Sequence, residues 1–521
     1  MTLTSTRPET PPSEPPDLRP RELLRWAWRQ LTSMRTALIL LFLLALAAIP
    51  GSVVPQNGVD SLRASQWREQ HKTLAPIYER LGLFDVYGSP WFAAIYLLLV
   101  VSLVGCILPR TMVYWRAARA TPPPAPRRLT RLPEHRTFTT TVSPEDVLDR
   151  ARRQLRRRRY RLAPQEEGTV AAERGYLREA GNLLFHVAVL VVIIGFGLGS
   201  LLGFKGGVIV VTGDGFSNQL SQYDDFTPGT IFKPSQLEPF SFTVHDFHVD
   251  FIKTGRSAGA AHKFYADLDV RKSSGSSSTR ERISVNHPLT VDGTKVFLIG
   301  HGYAPHITVR DAEGNVAASG PAVFLPENES FTSFGVVKAF DAQPTAIGLE
   351  GEFYPTYAFS NTTGPFSAFP DDEDPALSML VWRGKTGTDP GSNQSSVYAL
   401  DKGDLTPLKT SKGVQQRIDL KRGQTVQLAD GAGSVTFDGV SRFVRLQVSD
   451  RPGSGTALVG TVLALLGLLG SLFVRPRRVW VRVSDAGDGR TLVEAAGLDR
   501  SSGGDLSGEL DDVVTGMQES T

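Results

Sequence analysis

Residues 175–204, GYLREAGNLLFHVAVLVVIIGFGLGSLLGF, decide how the rest of the chain is read. From Gly181 to Phe204 only Asn182, His186 and Ser200 interrupt an apolar run. At about 1.5 Å per residue it is long enough to cross a hydrocarbon core of about 30 Å. A transmembrane helix is therefore expected, and an ionisable residue inside one needs a partner, a cavity or a ligand. With about 100° of turn per residue, Asn182, Val189, Leu190, Ile193 and Gly197 share the side of His186. Gly195, Gly199 and Gly203 make a stripe on the other side, the arrangement that lets two helix backbones approach closely. One face is thus suited to packing and the other to a ligand, although a hydrogen bond from His186 to a neighbouring helix would satisfy the same pattern.

Three more runs of spanning length, Thr36–Pro55, Pro90–Pro109 and Ser454–Val474, also lack Asp, Glu, Lys and Arg. The fold class expected is a multipass α-helical membrane protein with four transmembrane helices, a large extracytoplasmic, mainly-β, sandwich-like domain and a small cytoplasmic α/β insert. Orientation follows from arginine, which crowds the segment before the first helix, the one between the second and third, and the one after the fourth; these belong in the cytoplasm. The order is then a cytoplasmic leader (1–34), helix one (35–55), an extracytoplasmic loop (56–89) and helix two (90–109). A cytoplasmic basic segment (110–180), helix three (181–204), the outer β domain (205–453), helix four (454–474) and a cytoplasmic hairpin with a disordered tail (475–521) follow. No cleavable signal peptide is expected at Ile49-Pro50-Gly51-Ser52, so the first apolar run reads as a retained helix.

Pro-rich residues 1–20 suggest a disordered leader, and Glu22–Met34, with Trp26 and Trp28 among arginines, an interfacial helix. After a Pro-rich linker, Thr137–Val142 alternates as a strand and Ser143-Pro144-Glu145-Asp146 caps a helix, a small βαβ-like unit. Its arginines, Arg150 to Arg161, come with no nucleic-acid recognition module, and both ends are tethered to the bilayer, which favours membrane lipids over nucleic acid as the partner. Between 205 and 453, short runs rich in Val, Ile, Phe and Thr are strand candidates, among them Phe240–Phe251, Lys295–Ile299, His306–Arg310 and Val397–Leu400. The pair Asp292-Gly293 marks a turn. Val479–Val483 and Thr491–Ala495 suggest a hairpin, and the Gly/Ser/acidic stretch from Asp499 disorder.

Cys106 is the one cysteine, so the chain has no Cys-x-x-Cys pair and no Cys-x-x-Cys-His haem-attachment motif. Phosphate-loop, zincin and nucleophile-elbow motifs are also missing. His245 and His248, three apart in an alternating strand, are expected on opposite faces and make a poor chelating pair. With His287, His301 and His306 they read as ordinary hydrogen-bonding histidines. Arg174 and Arg178 mark the inner membrane boundary.

Several segments in order, SMRTALILLFLLALAAIPGSVVPQ, DVYGSPWFAAIYLLLVVSLVGCILPR, AAERGYLREAGNLLFHVAVLVVIIGFGLG, SVNHPLTVDGTKVFLIGHGYAP and GEFYPTYA, then the last helix followed by RRVW, resemble the ResB (CcsB-like) family of cytochrome c biogenesis proteins. The resemblance implies a subunit of a cytochrome c synthase complex in the cytoplasmic membrane, with both termini inside. It would carry haem b, transiently bound, across the membrane and support its thioether attachment to apocytochrome c outside. It also implies a ResC (CcsA-like) partner bearing the Trp-rich haem motif that this chain lacks, and a separate thioredoxin-like reductant. His186 falls at the family's intramembrane histidine, taken as an axial ligand of haem iron, and Arg174 and Arg178 become candidates for the haem propionates. The alternative is a non-catalytic membrane-anchored scaffold for assembly of a redox complex, with His186 structural.

Overall fold

The computed structural model describes residues 19–518 apart from 60, 274, 386–399, 401, 404, 488, 500 and 502–504. Most of the expected leader, and residues 397–399 of the strand expected at Val397–Leu400, lie outside the described residues. The chain divides into two compact units, Met1–Phe196 with Gly455–Thr521, and Gly197–Ser454. In chain order the helices are α1 (Pro20–Leu31), α2 (Met34–Val53), α3 (Ser61–Gln70), α4 (Ala75–Arg80), α5 (Pro90–Arg119), α6 (Pro144–Arg157), α7 (Arg178–Leu202), α8 (Ser454–Phe473) and α9 (Leu506–Gln518). Among the described residues α2, α5, α7 and α8 are long and apolar enough to cross a membrane. The second runs on through Pro109 to Arg119, past its expected end.

Short polar anchors and a small residue of α5 hold it to the link between α1 and α2. Ser102 Oγ donates to the Leu31 carbonyl at 2.6 Å, and Cys106 Sγ lies 2.8 Å from that of Thr32. A Cβ on Gly105 would come within 2.1 Å of Thr32 Cγ2. Ser33 and Ser89 cap the two helices, accepting from the Thr36 and Phe92 amides.

The segments on either side of the helices form one domain, where sequence reading expected a separate insert and a free hairpin. Its antiparallel sheet runs in the order Glu134–Thr140, Arg490–Asp499, Arg477–Gly487, Thr169–Arg174, Arg161–Leu162. The C-terminal hairpin thus fills the gap that a βαβ unit would have closed with a parallel pair. Val147, Leu148, Ala151 and Leu155 of α6 pack on one face against Val170, Val479, Val481 and Val493. The tail expected to be disordered supplies α9 to this face, burying Leu506, Leu510, Val513 and Met517. Those residues recur at helical spacing, which is why the stretch folds despite its composition. The Pro-rich linker lies along the other face, where Trp480 Nε1 donates to the Pro123 carbonyl at 3.0 Å and Arg482 to that of Pro126 at 2.6 Å.

The second unit is mainly β, as expected. Its spine is a pair of 17-residue antiparallel strands, Thr294–Arg310 and Ser434–Asp450, so the two runs expected at Lys295–Ile299 and His306–Arg310 are one strand. Residues from both ends of this spine enter two separate cores. Val296, Leu298, Leu446 and Val448 join Phe242, Val244, Leu268 and Ile283 in the first. Tyr303, Ile307, Val435 and Phe437 join Leu349, Phe353, Leu377 and Met379 in the second. The expected turn is present, with φ 46° at Asp292 and 98° at Gly293 between Leu289–Val291 and the spine. Phe204–Val211, which follows α7 directly, pairs with Ser434–Asp450 so that Phe204 lies opposite Asp450, four residues before α8 begins.

Candidate functional site

The strand Thr169–Arg174 passes into α7 through Gly175, whose φ of 74° suits glycine and whose Cβ would lie 2.0 Å from the Arg475 carbonyl. In the same sheet Arg174 is paired with Arg477, just beyond the end of α8. An antiparallel strand pair therefore leads into the pairing of α7 with α8. Beyond it the helices meet along small residues. A Cβ on Gly181 would lie 2.7 Å from the Ser471 nitrogen, one on Gly467 2.5 Å from the Phe185 nitrogen, and one on Gly460 2.9 Å from the Val192 nitrogen. Ala188 and Gly195 are buried along the same line. Residues 181, 185, 188, 192 and 195 follow helical spacing, so α7 has one face closed by α8. The expected glycine stripe contributes Gly195 to this face, and the matching Gly460, Gly467 and Gly470 of α8 are what sequence reading missed.

His186 lies about 140° around α7 from the middle of that seam, with Leu190, Ile193 and Gly197 on its side. Its Nδ1 is 2.8 Å from the Asn182 carbonyl, one helical turn back. A carbonyl only accepts, so Nδ1 carries the proton and Nε2 of the neutral ring keeps its lone pair. Among the described residues Nε2 has no hydrogen-bond partner. The Phe185 ring meets the imidazole edge-on at 5.2 Å and 89°. Fixing one ring nitrogen to a carbonyl so that the other can coordinate is the usual way a protein prepares an imidazole ligand. No group of three His, Cys, Asp or Glu able to hold a metal ion occurs among the described residues. One imidazole is a poor cage for a bare ion but a sufficient axial ligand for iron already held by a porphyrin.

The two arginines are placed differently. Arg178 Nε donates to the Ser471 carbonyl at 3.1 Å, capping the end of α8, and its Nη groups have no partner among the described residues. Arg174 is paired with Glu509 at 3.1 Å, and the same carboxylate takes Arg477, itself 3.1 Å from Asp499. This buried cluster ties α9 to the sheet, and sequence reading did not foresee it.

Two expectations about the other histidines are corrected. The register shift between Val244 and Asp246 puts His245 and His248 on the same, exposed side, where His245 faces Asp269 at 3.4 Å and His248 faces Asp250 at 3.1 Å. The His301 imidazole has no hydrogen bond to a described residue. Its ring stacks on Phe331 at 4.8 Å and meets Phe247 at 5.0 Å and Phe264 at 5.3 Å. Burial, with the Arg442 charge adding to it, holds its pKa down to about 4. His306 is the ordinary kind, 2.7 Å from Ser441 Oγ.

The chain matches the ResB-like family model over residues 34–511. It is 30% identical over 272 residues to the cytochrome c biogenesis protein CcsB of Synechococcus sp. (strain JA-2-3B'a(2-13)), covering 51% of this chain and 55% of that protein. The protein of the same name from Picosynechococcus sp. is 26% identical over 293 residues, 55% of this chain and 59% of its own length. That of Synechococcus elongatus is 28% identical over 352 residues, 63% and 72% of the two chains. The matched part is thus a little over half the length of the first two relatives. With a match running from the start of α2 into α9, this chain belongs to the ResB-like family.

Proposed function

We propose that this chain serves cytochrome c biogenesis as the ResB-type half of a haem-attachment complex in the cytoplasmic membrane. It passes haem b, its cargo, outward and supports thioether bonding to the reduced Cys-x-x-Cys-His thiols of apocytochrome c. The five-stranded domain is cytoplasmic and the β domain extracytoplasmic, in keeping with the arginines around the helix ends. The observation that carries the reading is His186, with Nδ1 tied back to Asn182 and Nε2 open on the face of α7 turned away from α8. Val189, Leu190 and Ile193 give that face the dry surroundings that suit haem. A ResC (CcsA-like) partner supplies the second axial ligand, and a thioredoxin-like protein keeps the thiols reduced, since Cys106 has no partner cysteine. Arg178, roughly 12 Å along the helix from His186, is the better placed of the two arginines for a propionate. Arg174 could serve only if its pair with Glu509 opened.

The test is complementation of a strain lacking this chain, with the ResC-type partner present and covalent haem staining of cytochromes c as the readout. Wild type restores staining, and His186→Ala lowers it at least tenfold at equal protein levels. Staining that persists without the chain would overturn the role itself. Full staining by His186→Ala would leave the scaffold alternative, in which the β domain recruits a partner and His186 only packs.

A further inference from the structure

Four arginines stand close together around the last two turns of α6 and the residues just after it. Arg153, Arg156, Arg157 and Arg159 are exposed, and their guanidiniums have no partner among the described residues. Their neighbours are different, Arg152 being paired with Asp149 at 2.6 Å and Arg158 with Asp512 at 3.0 Å. On α6, residues 153, 156 and 157 point directly away from the buried Val147, Leu148, Ala151 and Leu155. Unpaired guanidiniums so close together repel one another, and an anionic partner would relieve that repulsion.

The topology says where they sit. Glu134 pairs with Gly497, near the end of the sheet where Arg477 faces Asp499, and the strand runs from there toward Thr140, opposite Thr491. After it, α6 runs back, and the Arg158 carbonyl accepts from Arg174 at 3.3 Å. Arg174 is four residues before the start of α7, and its strand partner Arg477 is four residues after the end of α8. The last turn of α6 therefore lies at the end of the sheet from which two apolar, membrane-length helices depart. Three intervening residues extend at most about 11 Å, within the reach of an arginine side chain and a headgroup layer together.

We propose that Arg153, Arg156, Arg157 and Arg159 form a binding surface for the phosphate groups of anionic membrane lipids, holding the five-stranded domain against the bilayer. Guanidinium takes phosphate oxygens in bidentate fashion, and a juxtamembrane basic cluster is attracted to an anionic leaflet. The surface requires that α7 and α8 span the membrane; it is independent of whether His186 holds haem.

The experiment is amide hydrogen exchange on the full chain in bilayers of phosphatidylcholine alone or mixed with phosphatidylglycerol. Exchange at residues 153–159 is expected to slow about tenfold in the anionic bilayer, with the difference lost in 1 M salt, where screening acts within about 3 Å. Replacing the four arginines by glutamine removes the difference while the sheet around Val481 keeps its protection, and Arg490→Gln, at the far turn, leaves it intact. Equal exchange in both bilayers, or a difference that survives either 1 M salt or the fourfold variant, overturns the proposal. Equal slowing by inorganic phosphate in phosphatidylcholine also overturns it, by assigning the surface to a soluble anion.

Discussion

His186 and His301 are both imidazoles set in apolar surroundings, one on α7 and one on the spine of the β domain, and they are held in opposite ways. The first is oriented by a hydrogen bond from Nδ1 to its own helix, which leaves Nε2 a defined lone pair. The second has no hydrogen bond to a described residue and is kept neutral and fixed by the phenylalanine rings around it. Burial alone makes a structural histidine. A ligand also needs one nitrogen anchored and a face of the helix left open, and at His186 that face is open because glycines carry the packing on the other side.

The comparison can be broken most sharply at the seam. Gly467→Val would push a side chain into the Phe185 backbone and is expected to cost more than about 3 kcal/mol, seen as loss of folded protein in detergent and of any haem despite an intact His186. Next is acid. His301 has a pKa of about 4 in the fold against 6.5 ordinarily, so the unfolded chain binds the extra proton between those values. Its contribution is complete above about pH 6.5 and is lost as pH falls toward 4, about 3 kcal/mol in all. Denaturant unfolding at pH 7, 5.5 and 4.5 measures this, and His301→Phe should flatten that part of the profile while leaving haem staining intact. The smallest effect is Gly197→Ala on the His186 side, where a Cβ meets nothing within 4 Å. It should stabilise α7 by about 0.5–1 kcal/mol in thermal unfolding and leave maturation unchanged.

The four long helices, and the place of His186 within one of them, were legible in the sequence because hydropathy and helical spacing are local signals. The five-stranded domain was not, since Glu134–Thr140 finds its partner at Arg490–Asp499 and no local pattern records a pairing so distant. The fold of α9 was hidden by its Gly, Ser and acidic residues, yet Leu506, Leu510, Val513 and Met517 carried the helical period throughout. At His245 and His248 strict alternation failed because one register shift reverses a side chain without a mark in composition. At His301 the residue type suggested a hydrogen bond, and only the fold gathers Phe247, Phe264 and Phe331 around it.

The most direct measurement is the visible spectrum of this chain co-purified with its ResC-type partner, comparing wild type with His186→Ala and His301→Phe at matched protein amounts. The account predicts Soret and α bands in wild type and His301→Phe, their loss in His186→Ala, and their partial return when imidazole is added to that variant. A His186→Ala spectrum identical to wild type would contradict it, removing His186 from the haem and leaving α7 a packing helix alone.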